Sequence, residues 1–172
     1  MNTYFTADTH FGHNNIIEHS YRPFKSIEEM DEAIINRINL VAKPEDELYH
    51  LGDFAWSESW KTYRSRIHCK RIHLIAGNHD SSKECNKASK QGLFESVSKY
   101  IDLKKDGFKL ILCHYPIESW RPGYVHLHGH THGNSKTMPG RLDVGVDAQM
   151  FSPVSFGLIR EALQPQEFEE RH

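Results

Sequence analysis

Residues 71–80 read Arg-Ile-His-Leu-Ile-Ala-Gly-Asn-His-Asp. An apolar run of strand length stops at Gly77, and three polar side chains able to bind or move charge follow at once. A run of this kind bounded by glycine reads as a strand over Arg71 to Ala76 that enters a turn. The bland alternative is a turn with an exposed histidine, but Asn78, His79 and Asp80 in succession make that reading unusual.

The same grammar recurs on both sides of this stretch. Thr3 to Ala7 runs into Asp8-Thr9-His10, and Glu47 to Leu51 runs into Gly52-Asp53. Phe108 onwards ends at His114, and Val125 to His128 runs into Gly129-His130-Thr131-His132. Taken singly, most of these are weak. A DxH is common, although in extended chain its two side chains share a face. GD is an ordinary turn dipeptide, and a lone His114 is by default a buried, hydrogen-bonded histidine. HxH after a strand carries more, because it presents two imidazoles to one region; its alternative is a His-rich surface hairpin. Ligands in open α/β sheets bind outside the carboxyl ends of the strands. Five strand ends carrying Asp, Asn and His therefore point to one shared edge.

Helical patterns lie between these strands. Ser26-Ile27-Glu28-Glu29 matches a capping box. Ile27, Met30, Ile34, Ile38 and Val41 then form an amphipathic stripe that Lys43-Pro44 ends. Helices are also expected over Glu58–His68, Ser81–Gln91 and Ser155–Leu163, and strands over Ser96–Leu103 and Leu142–Val146. The tail from Gln164, charged and without pattern, is expected to fray. The order β-α-β-α-β followed by consecutive strands predicts an α/β core with a mixed sheet or two packed sheets. With no linker or repeat, the 172 residues are read as one domain.

Composition narrows the function classes. A formal charge of −2 excludes a polycation built to coat nucleic acid. The three cysteines form no CxxC pair and do not suggest a disulfide framework. The N-terminal residues lack a signal-peptide pattern, no apolar run approaches a membrane span, and the chain is read as cytoplasmic. The 13 histidines are the unusual number. Histidine is the commonest metal ligand, but placement, not number, makes the case.

In order, the blocks are DxH at 8–10, GD at 52–53, GNH plus an acidic residue at 77–80, a lone histidine at 114, and GHxH at 129–132. Together they resemble the calcineurin-like metallophosphoesterase superfamily. The stretch from Phe11-Gly12-His13-Asn14-Asn15 through Tyr21-Arg22-Pro23-Phe24 is similar to a small bacterial and phage-type branch. The resemblance implies a four-layer α/β/β/α sandwich with two packed mixed sheets. It implies one metal held by Asp8, His10 and His132, another by Asn78, His114 and His130, and Asp53 bridging both. His79 would face the substrate as general acid, with Asp80 behind it orienting the ring.

Those residue types suit the implied reaction. Two divalent cations roughly 3.5–4 Å apart can share a hydroxide and clamp a phosphate in an in-line displacement. A bridging carboxylate holds such a pair together. The oxygen and nitrogen donors, with no thiolate, suit Mn, Fe, Zn, Ni or Co, with Mn the assay metal of choice. The expected reaction is hydrolysis of a small phosphodiester, a nucleotide or similar. A phosphomonoester is the alternative, and a non-catalytic scaffold is disfavoured by the intact ligand blocks and His79. No membrane partner and no strong nucleic-acid signal are read; the oligomeric state stays open.

Arg22 is a candidate phosphate clamp, since guanidinium matches phosphate bidentately. His13 is a candidate substrate contact or support for the metals, with a backbone-bonded loop histidine as the equal alternative. His126 and His128 are read as supporting or packing residues, and His50 and His73 as structural. Trp56, Trp60, Tyr115, Trp120 and Tyr124 could stack on a base, but are read first as core or rim. Cys113 is expected to point away from the ligands.

Overall fold

The structure, a computed structural model, describes residues 1–56 and 59–163. The elements follow as β1 (Thr3–Thr6), α1 (Ile16–His19), α2 (Ile27–Val41), β2 (Glu47–His50), α3 (Trp60–Arg66), β3 (Arg71–Ile75) and α4 (Ser82–Lys90). Then come β4 (Ser96–Ser98), β5 (Tyr100–Lys105), β6 (Phe108–Cys113), β7 (Val125–His128), β8 (Arg141–Asp143), β9 (Val154–Ser155) and α5 (Phe156–Ala162). They build two mixed sheets, ordered β4-β3-β2-β1-β9 and β5-β6-β7-β8. In the first, β1 to β4 run parallel and β9 runs antiparallel to β1. In the second, β6, β7 and β8 are parallel and β5 is antiparallel to β6.

Alternation explains the layers. Leu48, Ile72 and Leu74 face a core shared with Met30, Ile34 and Ile38 of α2 and with Trp60 and Ala88. Phe5, Tyr49, Leu51 and Ile75 point the other way, onto Leu110, Leu112, Val125 and Leu127 of the second sheet. Both faces of the first sheet are thus buried, which is why its strands read as continuous apolar runs. The far side of the second sheet carries Ile111, covered by Trp120, Tyr124, Ile117 and Met138. Among the described residues, this outer layer is an irregular segment, not a helix.

Local signals explain most of the elements. The Ser26 side chain accepts from the Glu29 amide at 3.2 Å, as an N-cap should. The Glu29 carboxylate, however, accepts from the Lys25 amide and does not close the box on Ser26. The expected strand over Ser96–Leu103 is two strands. Val97 pairs within the first sheet, while Ile101 and Leu103 pair in the second. Lys99 alone interrupts the apolar positions Val97, Ile101 and Leu103, and one polar residue does not by itself mark a change of sheet. The expected strand over Leu142–Val146 leaves its sheet at Asp143. Gly145 then bridges Ala7, and the Val146 amide donates to the Ala7 carbonyl at 3.0 Å. The two-residue strand β9 and the single-turn helix α1 are too short to read from periodicity. The tail from Gln164 lies outside the described residues, as does Glu58 in the expected third helix.

Candidate metal centre

The parallel pairing of β1 with β2 continues past both strands, with the Asp8 amide donating to Gly52 O and the His10 amide to Asp53 O, both at 2.9 Å. Asp8, His10 and Asp53 are thereby held side by side. The third strand end is locked to them by Asp80, whose carboxylate accepts from the amides of Asp53 (2.7 Å), Gly77 (2.9 Å) and Phe54 (3.1 Å). From the second sheet, the His130 amide donates to both Asp8 oxygens at 3.1 and 3.0 Å. A side chain at Gly77 would collide with the Asp53 carboxylate, and one at Gly129 with Asp8. The glycines before these blocks therefore permit close approach.

Five of the seven candidate ligands, Asp8, His10, Asp53, His130 and His132, have φ between 47° and 71°. Left-handed backbone in non-glycine residues costs on the order of 1–3 kcal/mol each and gathers at functional sites. Here it turns each chain sharply off its strand so that the side chain swings toward the others.

The candidate ligands converge in two groups around Asp53. One ligand atom from each of Asp8, His10 and His132 lies within 4.8 Å of the other two, and the same holds for Asp8, Asp53 and His114. Asn78 Oδ1 lies 2.8 Å from both His114 Nε2 and His130 Nδ1, which completes the second group. Asp53 Oδ2 stands 3.5 Å from His10 Nε2 and 3.5 Å from His114 Nε2, equidistant from the two.

The donor chemistry fits cations. His10 Nε2 is buried with no hydrogen-bond partner. His114 Nδ1 lies 2.7 Å from the Leu51 carbonyl, which can only accept, so in neutral His114 the Nε2 lone pair faces Asn78 Oδ1. A cation between them would satisfy both electron pairs. Burial, followed by the neighbouring Asp53, pushes the Asp8 carboxyl well above the usual carboxylate range. Burial also raises Asp53, against the His79 N–H that donates to it. Burial lowers His10, with Arg22 adding to it, and brings His114 down to about 4. Left alone, the cluster disfavours charged carboxylates and charged imidazoles together; divalent cations reconcile the two.

Other expected positions differ. Arg22 is buried, with Nε and Nη2 on Asp147 at 2.8 and 2.7 Å, Nη2 also on Asp8 O, and Nη1 on Thr9 O. These protein acceptors hold its guanidinium inside, away from the position of a phosphate clamp. Asp80 bonds three backbone amides and makes no hydrogen bond to His79 among the described residues, so it does not orient that ring. His79 is exposed, its amide donates to Asp53 Oδ1 at 2.9 Å, and its ring sits 5.3 Å from that of His10. His13 stacks on Trp56 at 4.1 Å and lies 6.1 Å from His79. His126 is tied to Ile111 O, Tyr115 O and the Ile117 amide, a packing position. Trp60, Trp120 and Tyr124 are core, whereas Trp56 and Tyr115 are exposed.

One residue was missed. Asp147 Oδ2 lies 2.7 Å from His132 Nδ1 while its carboxylate takes the Arg22 fork. Burial works against it, but the bonds from His132 and Arg22 hold its carboxyl below the usual range. Asp147 follows Val144-Gly145-Val146, a further strand end with a glycine, so the grammar that found the other blocks could have found this one.

Comparison with known proteins agrees with the fold. A model of the calcineurin-like phosphoesterase superfamily domain matches residues 1–144. The chain is 30% identical over 175 aligned residues to the uncharacterized protein MJ1445 of Methanocaldococcus jannaschii, covering 94% of this chain and 90% of that one. It is 26% identical to the Gene 66 protein of Mycobacterium phage L5, covering 86% and 87%. Among solved structures, a protein of unknown function from Aquifex aeolicus, AQ665, superposes with a TM-score of 0.75 at 27% identity, covering 94% of this chain and 99% of that one. With two mixed sheets, a matching domain model and Asp, Asn and His gathered at the strand ends, the chain belongs to the calcineurin-like phosphoesterase superfamily.

Proposed function

We propose that the protein is a two-metal phosphodiesterase. The observation that carries the reading is the position of Asp53 Oδ2, 3.5 Å from an imidazole nitrogen of each ligand group. Asp8, His10 and His132 would hold one cation, Asn78, His114 and His130 the other, and Asp53 would bridge them. When bound, such a pair supplies water activation near neutral pH and neutralises charge on a phosphate. The chain's own groups do the rest. His132 is oriented by Asp147, as metal-binding histidines are by carboxylates. Asp80 holds the Asp53 loop rigid through three amides. His79, exposed beside the cluster and outside both ligand groups, is placed to protonate a leaving oxygen, a contribution of about 10²–10⁴-fold.

A diester is favoured because the cluster lies open at the strand ends, with Asn78, His79 and Tyr115 exposed, which leaves room for an ester group on either side of the phosphate. The three free cysteines suit a reducing compartment, which supports the cytoplasm. The test is Mn-supplemented hydrolysis of bis-4-nitrophenyl phosphate against 4-nitrophenyl phosphate, with Asp53→Asn as control and metal counted by mass spectrometry. Preference for the diester, two metals per chain and an inactive control are expected. Preference for the monoester would replace the reading with a phosphomonoesterase, and two bound metals without turnover on any ester would leave a scaffold.

A further inference from the structure

We propose that a groove beside Asn78 and Tyr115 receives the part of the substrate that stays on phosphorus, and that this part is a nucleotide, with its base on Tyr115 and its own phosphate at Lys99. The inference rests on the phosphodiesterase reading and extends it.

The groove holds about 680 Å³, well within the size of small-molecule sites. It is lined by Asn78 and Tyr115, by Ser82, Asn86 and Ser89 of α4, and by Lys99, where the chain crosses between sheets. Lys99 forms no salt bridge among the described residues. The lining mixes the hydroxyls and amide of Ser82, Asn86 and Ser89 and the ammonium of Lys99 with apolar Ala76, Val97 and Cys113, which suits the sugar phosphate and the apolar base face of a nucleotide.

Two exposed aromatics flank the cluster. Trp56, 45% exposed, lies 5.9 Å from His79, while Tyr115, 47% exposed, lies 5.1 Å from His114 and 4.9 Å from His130. Since His79 serves the leaving oxygen, the Trp56 side is the leaving side and the Tyr115 side the retained one. Hydrolysis breaks the bond from phosphorus to the oxygen near His79, which takes a proton. The oxygen of water joins phosphorus, and the nucleoside ester on the Tyr115 side stays intact. Stacking on an aromatic ring accepts any base, and an ammonium meets a phosphate as a point charge.

Substrates sharing one leaving group isolate the retained side: methyl 4-nitrophenyl phosphate, thymidine 5′-(4-nitrophenyl phosphate), and the latter with a 3′-phosphate. In the native protein kcat/KM should rise about tenfold from methyl to thymidine, as stacking of one base implies, and rise again with the 3′-phosphate. Tyr115→Leu should erase the first step, Lys99→Gln the second alone, and Ser89→Trp, which fills the groove, both. Each ratio is taken within one variant, so altered metal content cancels. Calorimetric titration of thymidine 3′,5′-bisphosphate into metal-free protein reads the same contacts without turnover, and each variant should weaken Kd about tenfold. Equal kcat/KM for the methyl and thymidine esters, or ratios and Kd unmoved by the three variants, would overturn the groove. Hydrolysis of none of the diesters would overturn the phosphodiesterase reading instead, with the Kd ranking still deciding the groove.

Discussion

Arg22 and Asp147, 125 positions apart in sequence, form a buried ion pair whose carboxylate also holds the His132 ring. Removing one partner of such a pair leaves an uncompensated charge, at about 3–5 kcal/mol. Arg22→Met should lose stability on that order in denaturant unfolding and weaken metal binding about 10–100-fold, as loss of a ligand's support does. A variant that keeps both native stability and metal affinity would refute the role. His79→Ala should keep both metals while losing about 10²–10⁴-fold on esters with poor leaving groups and far less on nitrophenyl esters; loss of metal would make His79 a ligand. The seven candidate ligand positions could be read from the sequence because each sits in a short block directly after a strand. The inward position of Arg22 and the backbone bonds of Asp80 were not, since each depends on atoms contributed by distant segments.

Among the elements, α2 is the one the sequence describes best, because its N-cap and stripe are local. Ser26→Ala should cost about 1 kcal/mol, measured as a shift in the unfolding midpoint without a change in slope. Gly129→Ala tests close approach instead. Its methyl would meet the Asp8 carboxylate, so the metal count should fall while far-UV circular dichroism stays native. The crossing from β4 to β5 was illegible for the opposite reason. Ser96 to Leu103 keeps one alternation apart from Lys99, and the packing of Val97 on the helix-side core and of Ile101 and Leu103 between the sheets separates the two strands. A two-residue strand such as β9 carries no period at all.

For the whole molecule, buried histidines set the acid response. His50 is brought down to about 3 and His126 to about 4, both chiefly by burial. A base whose folded pKa lies below its unfolded value near 6.5 contributes stability above that value and loses it as pH falls toward the folded one. Below about pH 6.5, metal-free protein should therefore lose up to about 1.4 kcal/mol per pH unit for each of the two, and His10 and His114 of the empty cluster add their shares. The raised carboxyls of Asp8, Asp53 and Asp80 act the other way, because they bind protons more readily when folded. Denaturant unfolding at several pH values reads the balance, and His126→Gln should flatten the slope by one histidine's share. Metal at 100 times its Kd should add about 2.7 kcal/mol, seen as a rise in Tm that a chelator reverses.

The sequence alone determined the family and the order of the blocks, because strand, glycine and candidate ligand are neighbours along the chain and leave a local mark. Only the tertiary structure decided that Arg22 supports and does not clamp, that Asp80 braces a loop, that Asp147 completes His132, and that a groove opens beside Tyr115. Each arises where segments from two sheets meet, and a contact between distant residues imposes no spacing on the residues that make it.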